Sequence, residues 1–347
     1  MMKQNPKPDH RQRSHRETLG IEVTNHCNSR CSHCFVRAGI SERISLPVGL
    51  VKNIISDGYD LNYRHLHISG GEPLLWAGLW ETLDHAVNLG YHTIFLNSNG
   101  TQLTNAVTRR LALYKGLSLS VSLDGPQALH DRIRGEGSYC RTIDGIENVL
   151  NAGIDLFIFT TVRKSLIRNL LDFAHEIYEK FPNIQYLTLI QLIRVPDDTF
   201  NLSKELLEPG DFLQLVQISS LLNLFGFKTY ILSNPLAGVA SKLLKMPWIP
   251  RSHPLYSDGS IFVKANRDIT LSHSCRSSFA KYDPGIIVKV LASDAYLNSI
   301  APDKATCPQC KYFSCCLENG MVRPSEWYRD MHTGVPYCQR VLDQAVA

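Results

Sequence analysis

With 347 residues, 44% of them hydrophobic and 20% charged, the chain has the composition of an ordinary globular protein, which excludes wholesale disorder. The formal net charge of +4 is mild and much of it lies in residues 1–17, where Lys3, Lys7, Arg11, Arg13 and Arg16 lead us to expect a disordered basic tail; no nucleic-acid partner is expected from it. No stretch approaches the ~20 apolar residues of a membrane helix, and no secretory signal opens the sequence, so no membrane partner and a cytoplasmic location are expected.

From Leu19 to about Ile193, short β-rich runs alternate with longer amphipathic stretches. Strands are expected at Leu19–Val23, His65–Ser69, His92–Asn97, Leu117–Leu123, Leu156–Val162 and Tyr186–Ile193. Helices are expected at Leu79–Leu89, Asn105–Tyr114, Thr142–Ala152 and Ile167–Phe181. Such repetition implies parallel strands with right-handed crossovers, here an α/β fold with a partial (β/α)6, TIM-like barrel. In that architecture the functional residues sit where strands end and loops begin. Beyond Ile193 the period is lost, apart from a helix expected at Phe212–Phe225. Proline then crowds residues 234–258, and a hairpin of Ile261–Lys264 with Ile269–Ser272 leads to Cys275. The chain therefore divides into the tail at 1–17, the barrel at 18–230 and a small cysteine-rich domain at 231–347.

Ten cysteines in a chain of this size point to metal or redox chemistry. Cys27, Cys31 and Cys34 follow the first strand at x3 and x2 spacing, close enough for three thiolates to converge on one metal centre. A structural zinc ion wants four closed ligands, which His26 or His33 would complete. A cubane [4Fe–4S] cluster usually takes four thiolates, so three would leave one iron open. Polar motifs recur at later strand ends. Gly70 and Gly71 permit close backbone approach to a ligand, and the Glu72 carboxylate suits an ammonium group. Asn97, Ser98 and Asn99 suit ribose hydroxyls, and the Arg134 guanidinium suits a carboxylate.

The Cys27-x3-Cys31-x2-Cys34 loop, with Gly70-Gly71-Glu72-Pro73 after the second strand, resembles the radical S-adenosylmethionine superfamily. The resemblance covers about residues 19–193. It implies a [4Fe–4S] cluster on Cys27, Cys31 and Cys34, whose open iron chelates S-adenosylmethionine. Reductive cleavage would yield a 5′-deoxyadenosyl radical that abstracts hydrogen from a substrate. It further implies that His33 lies beside the adenine, that Gly70, Gly71 and Glu72 hold the methionine amino group, and that Ser122 and Arg134 hold its carboxylate. Asn97, Ser98, Asn99 and Asp124 would then lie near the ribose.

Cys307-x2-Cys310, Cys316 and Cys338 resemble the C-terminal extension called SPASM, which implies one auxiliary [4Fe–4S] cluster on these four residues, with Cys315 competing for the third place. Two auxiliary clusters would need about eight ligands, whereas Cys275, Cys307, Cys310, Cys315, Cys316 and Cys338 are all the cysteines after residue 230. Relatives that mature sulfatases carry an aspartate base after the residue matching Cys275; Arg276 stands here. A four-thiolate zinc site remains the alternative for this region. The expected substrate is a peptide or protein side chain. A small molecule is the alternative, because the residues ahead of Leu19 are too few for a leader-binding domain. A one-electron reductant such as flavodoxin or ferredoxin is the expected partner, and a non-catalytic zinc or iron–sulfur binding protein is the second alternative.

Overall fold

Burial alternates along β-strand Asp155–Val162, whereas Leu19–Glu22 is buried at every position, as a strand covered on both faces is. The computed structural model describes residues 18–38, 42–194, 201–232, 235–246, 249, 259–275, 277–301, 309–318 and 337–347. Strands β1 (Leu19–Glu22), β2 (His65–Ser69), β3 (Thr93–Ser98), β4 (Leu117–Ser122), β5 (Asp155–Val162) and β6 (Tyr186–Gln191) lie side by side and parallel. Between them run α1 (Val48–Asp60), α2 (Leu79–Leu89), α3 (Asn105–Leu111), α4 (Gln127–Arg134), α5 (Ser138–Asn151), α6 (Lys164–Ile167) and α7 (Leu170–Lys180). This is the expected α/β architecture. The α2 bounds agree with expectation, whereas the helix expected at Ile167–Phe181 breaks at Arg168–Asn169 into α6 and α7.

One face of each strand packs under the helices. Leu66, Ile68, Leu96, Leu119, Val121, Ile158, Leu187 and Leu189 are buried there in one continuous core. The other face looks into the lumen of the curved sheet, where Phe95 meets both Phe157 (5.4 Å between centroids) and Phe159 (5.8 Å). Phe157 in turn stacks on Tyr186 at 6.3 Å. Aromatic rings thus fill the lumen below the strand ends and leave a cavity above them.

Two features join the sheet beyond those six strands. Strand β7 (Thr229–Ile231) pairs parallel with β6 after the long helix α8 (Pro209–Leu224). The expected hairpin forms as β8 (Ile261–Val263) and β9 (Asp268–Thr270), but β8 also docks parallel on β1, with Leu19 opposite Ile261. With β10 (Ala280–Lys281) the order is β10-β9-β8-β1-β2-β3-β4-β5-β6-β7, an open ten-stranded sheet that runs across residue 230. Gly20 makes the docking possible: a Cβ there would lie 2.0 Å from the Phe262 ring.

Among the described residues the remaining α-helices are α9 (Pro235–Leu243), α10 (Ile286–Leu291), α11 (Asp294–Ile300), α12 (Phe313–Glu318) and α13 (Tyr337–Val346). Tyr337 at the start of α13 donates to the Leu207 carbonyl at 2.9 Å and accepts from Gln191 Nε2 at 3.1 Å, which ties the C-terminus to the end of β6. Among the described residues no helix is long and apolar enough to cross a membrane.

Candidate active site

The loop after β1 is tied down before its cysteines begin. Asn25 donates through Nδ2 to the Glu42 carbonyl at 2.7 Å and accepts the Ile44 N–H at 2.7 Å. The Gly71 and Glu72 amides donate to the Thr24 and His26 carbonyls at 2.6 and 2.8 Å, which clasps this loop to the turn after β2. A Cβ on Gly71 would lie 2.3 Å from the His26 carbonyl oxygen, so glycine is what allows the clasp.

Cys27, Cys31 and Cys34 line one cavity of about 380 Å³ at the strand ends. Each sulfur receives an N–H: Ser29 N at 3.4 Å and Asn99 Nδ2 at 3.7 Å for Cys27, Arg134 Nη1 at 3.7 Å for Cys31, Ala38 N at 3.2 Å for Cys34. Burial pushes all three thiols up, Cys34 to about 11, with the neighbouring Cys31 adding to the rise. As free groups they are protonated at neutral pH, and a bound metal would have to displace those protons. Among the described residues no three His, Cys, Asp or Glu side chains close on a common point as ligands of one ion. Three soft donors facing one cavity, each with an N–H partner, fit an iron–sulfur cluster.

His33, Gly70, Gly71, Asn97, Ser98, Asn99, Ser122 and Arg134 line the same cavity. Glu72 and Asp124 are different: both are wholly buried, and their work is done on the wall itself. Glu72 accepts from the Asn99 amide at 2.8 Å, the Ser98 hydroxyl at 3.0 Å and the Leu74 amide at 3.3 Å. Burial pushes its carboxyl up to about 7 against these three hydrogen bonds. Asp124 accepts from Arg134 Nε at 2.6 Å and from the Thr161 amide at 2.8 Å. Burial alone would raise Asp124, but the charge of Arg134 and the hydrogen bonds from Arg134 and the Thr161 amide outweigh it and hold the carboxyl below the usual carboxylate range. Arg134 is thereby aimed at the cavity rather than left to wander as a loop charge.

His33 is clamped between two charged groups. Its Nε2 lies 3.6 Å from Asp124, and Arg163 donates to its Nδ1 at 2.9 Å. Burial lowers its pKa to about 3, so the ring is neutral. That geometry assigns the proton to Nε2 and the lone pair to Nδ1. Arg163, buried at the end of β5, was not anticipated; a cation directly following a strand was the available signal.

The far wall of the cavity is also new. Phe35, Phe159, Thr161, Gln191 and His273 line it, and His67 sits at its base. Burial lowers His67 to about 4, with the Asn97 side chain opposing, and its Nε2 is buried without a partner among the described residues. Because the ordinary value is near 6.5, acid protonates the unfolded chain before the folded one, and stability falls as pH drops from about 6.5 towards 4. By pH 5 this one residue costs about 2 kcal/mol, roughly 3 °C of melting temperature. A His67→Gln variant should therefore lose less melting temperature between pH 7.5 and 5 than the parent protein does. Equal losses, read by circular dichroism, would show that His67 is not held neutral.

Comparison with known proteins bears on this arrangement. The Radical SAM superfamily profile matches residues 21–174. The mycofactocin maturase MftC of Mycolicibacterium smegmatis is 31% identical over 159 residues, 45% of this chain and 40% of that protein. The AdoMet-dependent heme synthase of Oleidesulfovibrio alaskensis is 34% identical over 151 residues, 42% of this chain and 38% of that one. The matches thus span about two fifths of the length of these curated relatives. In fold, the chain is similar to anSMEcpe with bound AdoMet and Cp18Cys peptide, with a TM-score of 0.70, 15% identity and 94% of each chain covered.

Proposed function

We propose, on the premise that residues 21–174 of this chain are a radical SAM superfamily domain, that it is an enzyme which cleaves S-adenosylmethionine reductively to modify a peptide or protein side chain. The observation that carries the reading is the convergence on one cavity of Cys27, Cys31 and Cys34 with Gly70, Gly71, Asn97–Asn99, Ser122 and Arg134. A [4Fe–4S] cluster on the three cysteines would supply the electron for cleavage to a 5′-deoxyadenosyl radical.

The chain's own residues do the positioning. Arg134, held by Asp124, offers its remaining donors to the methionine carboxylate, and Ser122 adds a hydroxyl beside it. Glu72 acts through the turn it braces: it presents Ser98 and Asn99 to the ribose and leaves the Gly70 and Gly71 backbone to meet the amino group. His33, neutral and fixed by Arg163, presents a flat ring to the adenine. The Phe35 and Phe159 rings on the far wall exclude water from the reacting atoms.

The peptide reading draws on the similarity to the maturase and on the fold shared with a peptide-bound structure. A small-molecule substrate is the second reading, favoured by the similarity to the heme synthase. Mass spectrometry on short peptides encoded beside this chain's gene, after turnover with S-adenosylmethionine and a reductant such as flavodoxin or ferredoxin, distinguishes them. A mass change on a peptide supports the first reading; turnover with every such peptide unchanged removes it.

The auxiliary cluster belongs to the same proposal. Cys316 is buried and Cys310 and Cys338 are half-buried, packed against the core beside α12 and α13, whereas Cys307 lies outside the described residues. Anaerobically reconstituted protein should hold about eight irons, and a Cys310→Ala/Cys338→Ala variant about four, with S-adenosylmethionine cleavage retained. Zinc without sulfide, or an unchanged iron count, would remove the second cluster.

A further inference from the structure

The cavity has more wall than the adenosylmethionine cradle uses. The cradle occupies the ends of β2, β3 and β4, with Arg134 from α4. Across from it a run of rings continues from the cysteine loop into the barrel. Phe35 meets His273 at 6.1 Å, His273 meets Phe262 at 5.7 Å, Phe262 meets His67 at 6.0 Å, and His67 meets Phe95 at 5.6 Å. His273 is delivered by the turn after β9, so this wall exists only because β8 docks on β1.

Two properties of the wall select what it can hold. Among the described residues lining the cavity, the one formal charge is Arg134, and Asp124 already pairs it. A carboxylate or ammonium entering the far side would lose its hydration with no partner to replace it. The wall also carries one open hydrogen-bonding ring. His273 is exposed to the cavity and makes no hydrogen bond among the described residues, whereas Nε2 of His67 is sealed below. Edge and face contacts between rings add to what apolar burial provides, so an aromatic guest is preferred to an aliphatic one.

We infer that the wall formed by Phe35, His273 and Phe159, backed by Phe262, is the substrate subsite, and that it takes an uncharged aromatic side chain ending in a hydrogen-bond donor, a phenol or an indole, whose donor is received by His273. This rests on the proposed function and names its substrate class. His273 is here a specificity-determining residue, and no proton or electron transfer is assigned to it.

Equilibrium dialysis of side-chain analogues against the cluster-loaded protein with S-adenosylmethionine bound tests the inference without turnover. p-Cresol should bind at least about tenfold more tightly than propionate or butylamine, and about three- to tenfold more tightly than toluene, the range of one hydrogen bond. His273→Phe should still bind toluene, which reports an intact pocket, but lose the preference for p-cresol; His273→Gln should keep part of it. Charged analogues binding as well as p-cresol, or an undiminished preference in His273→Phe, would overturn the subsite. Absence of S-adenosylmethionine cleavage would overturn the proposed function while leaving the dialysis result unaffected, so the two failures are distinguishable.

Discussion

Replacing Cys27, Cys31 and Cys34 together by Ala should reduce the release of 5′-deoxyadenosine from reduced protein and S-adenosylmethionine by about 10³-fold or more, to background. All three cysteines line the shared cavity and each sulfur receives an N–H donor, which is what the proposed cluster needs of them. The variant should remain folded. The loop is held by Asn25, Thr24 and the Gly71 clasp, none of which involves a thiol, and the barrel core lies beneath it. Far-ultraviolet circular dichroism should therefore be unchanged while about four irons per chain are lost. If cleavage persists near the parent rate in this variant, the catalytic assignment is wrong. If the fold is lost instead, single replacements of the half-buried Cys27 and Cys34 carry the same test, because a cubane short of one of its three protein thiolates should not persist.

Asp124→Asn should destabilise the protein by about 3–5 kcal/mol, the usual cost of removing one partner of a buried ion pair. Asp124 is wholly inaccessible and Arg134 is only 10% exposed, so the guanidinium is left charged with no water to repay its hydration. The amide oxygen can still accept the Thr161 N–H, but an NH2 group then stands where the carboxylate oxygen faced Arg134 and His33. Pairing the change with Arg134→Met should recover most of the stability, since the stranded charge is then gone. It should not recover tight S-adenosylmethionine binding, because the donor aimed at the methionine carboxylate has gone too. Thermal melts and dialysis of S-adenosylmethionine separate the two effects. A double variant as unstable as Asp124→Asn alone would show that the pair's geometry, rather than its charge, holds this corner of the site.

Much of the site was legible because its parts are local. Three cysteines within eight residues, and a Gly-Gly-Glu-Pro turn at a strand end, need only chain connectivity to come together. The alternating pattern exposed six parallel strands for the same reason: period-two burial is a property of one segment at a time. Roles that depend on where a side chain finally lies were less legible. Glu72 suits an ammonium group by its residue type, and only the fold shows that it lies behind the wall and accepts from Asn99, Ser98 and Leu74. His67 sits within an ordinary strand pattern. Only the rings of Phe95 and Phe262 around it turn it into a buried neutral imidazole.

The sequence by itself determined the parallel barrel strands, the cysteine loop and the glycine turn that clasps it, since each is encoded within a few consecutive residues. The tertiary structure alone decided that β8 would cap β1 from some 240 residues away, bringing His273 to the cavity with Phe262 packed behind it, and that Asp124 would anchor Arg134 while Arg163 fixed His33. Those partnerships are chosen by burial, which leaves a charge or a ring only the neighbours that folding happens to supply.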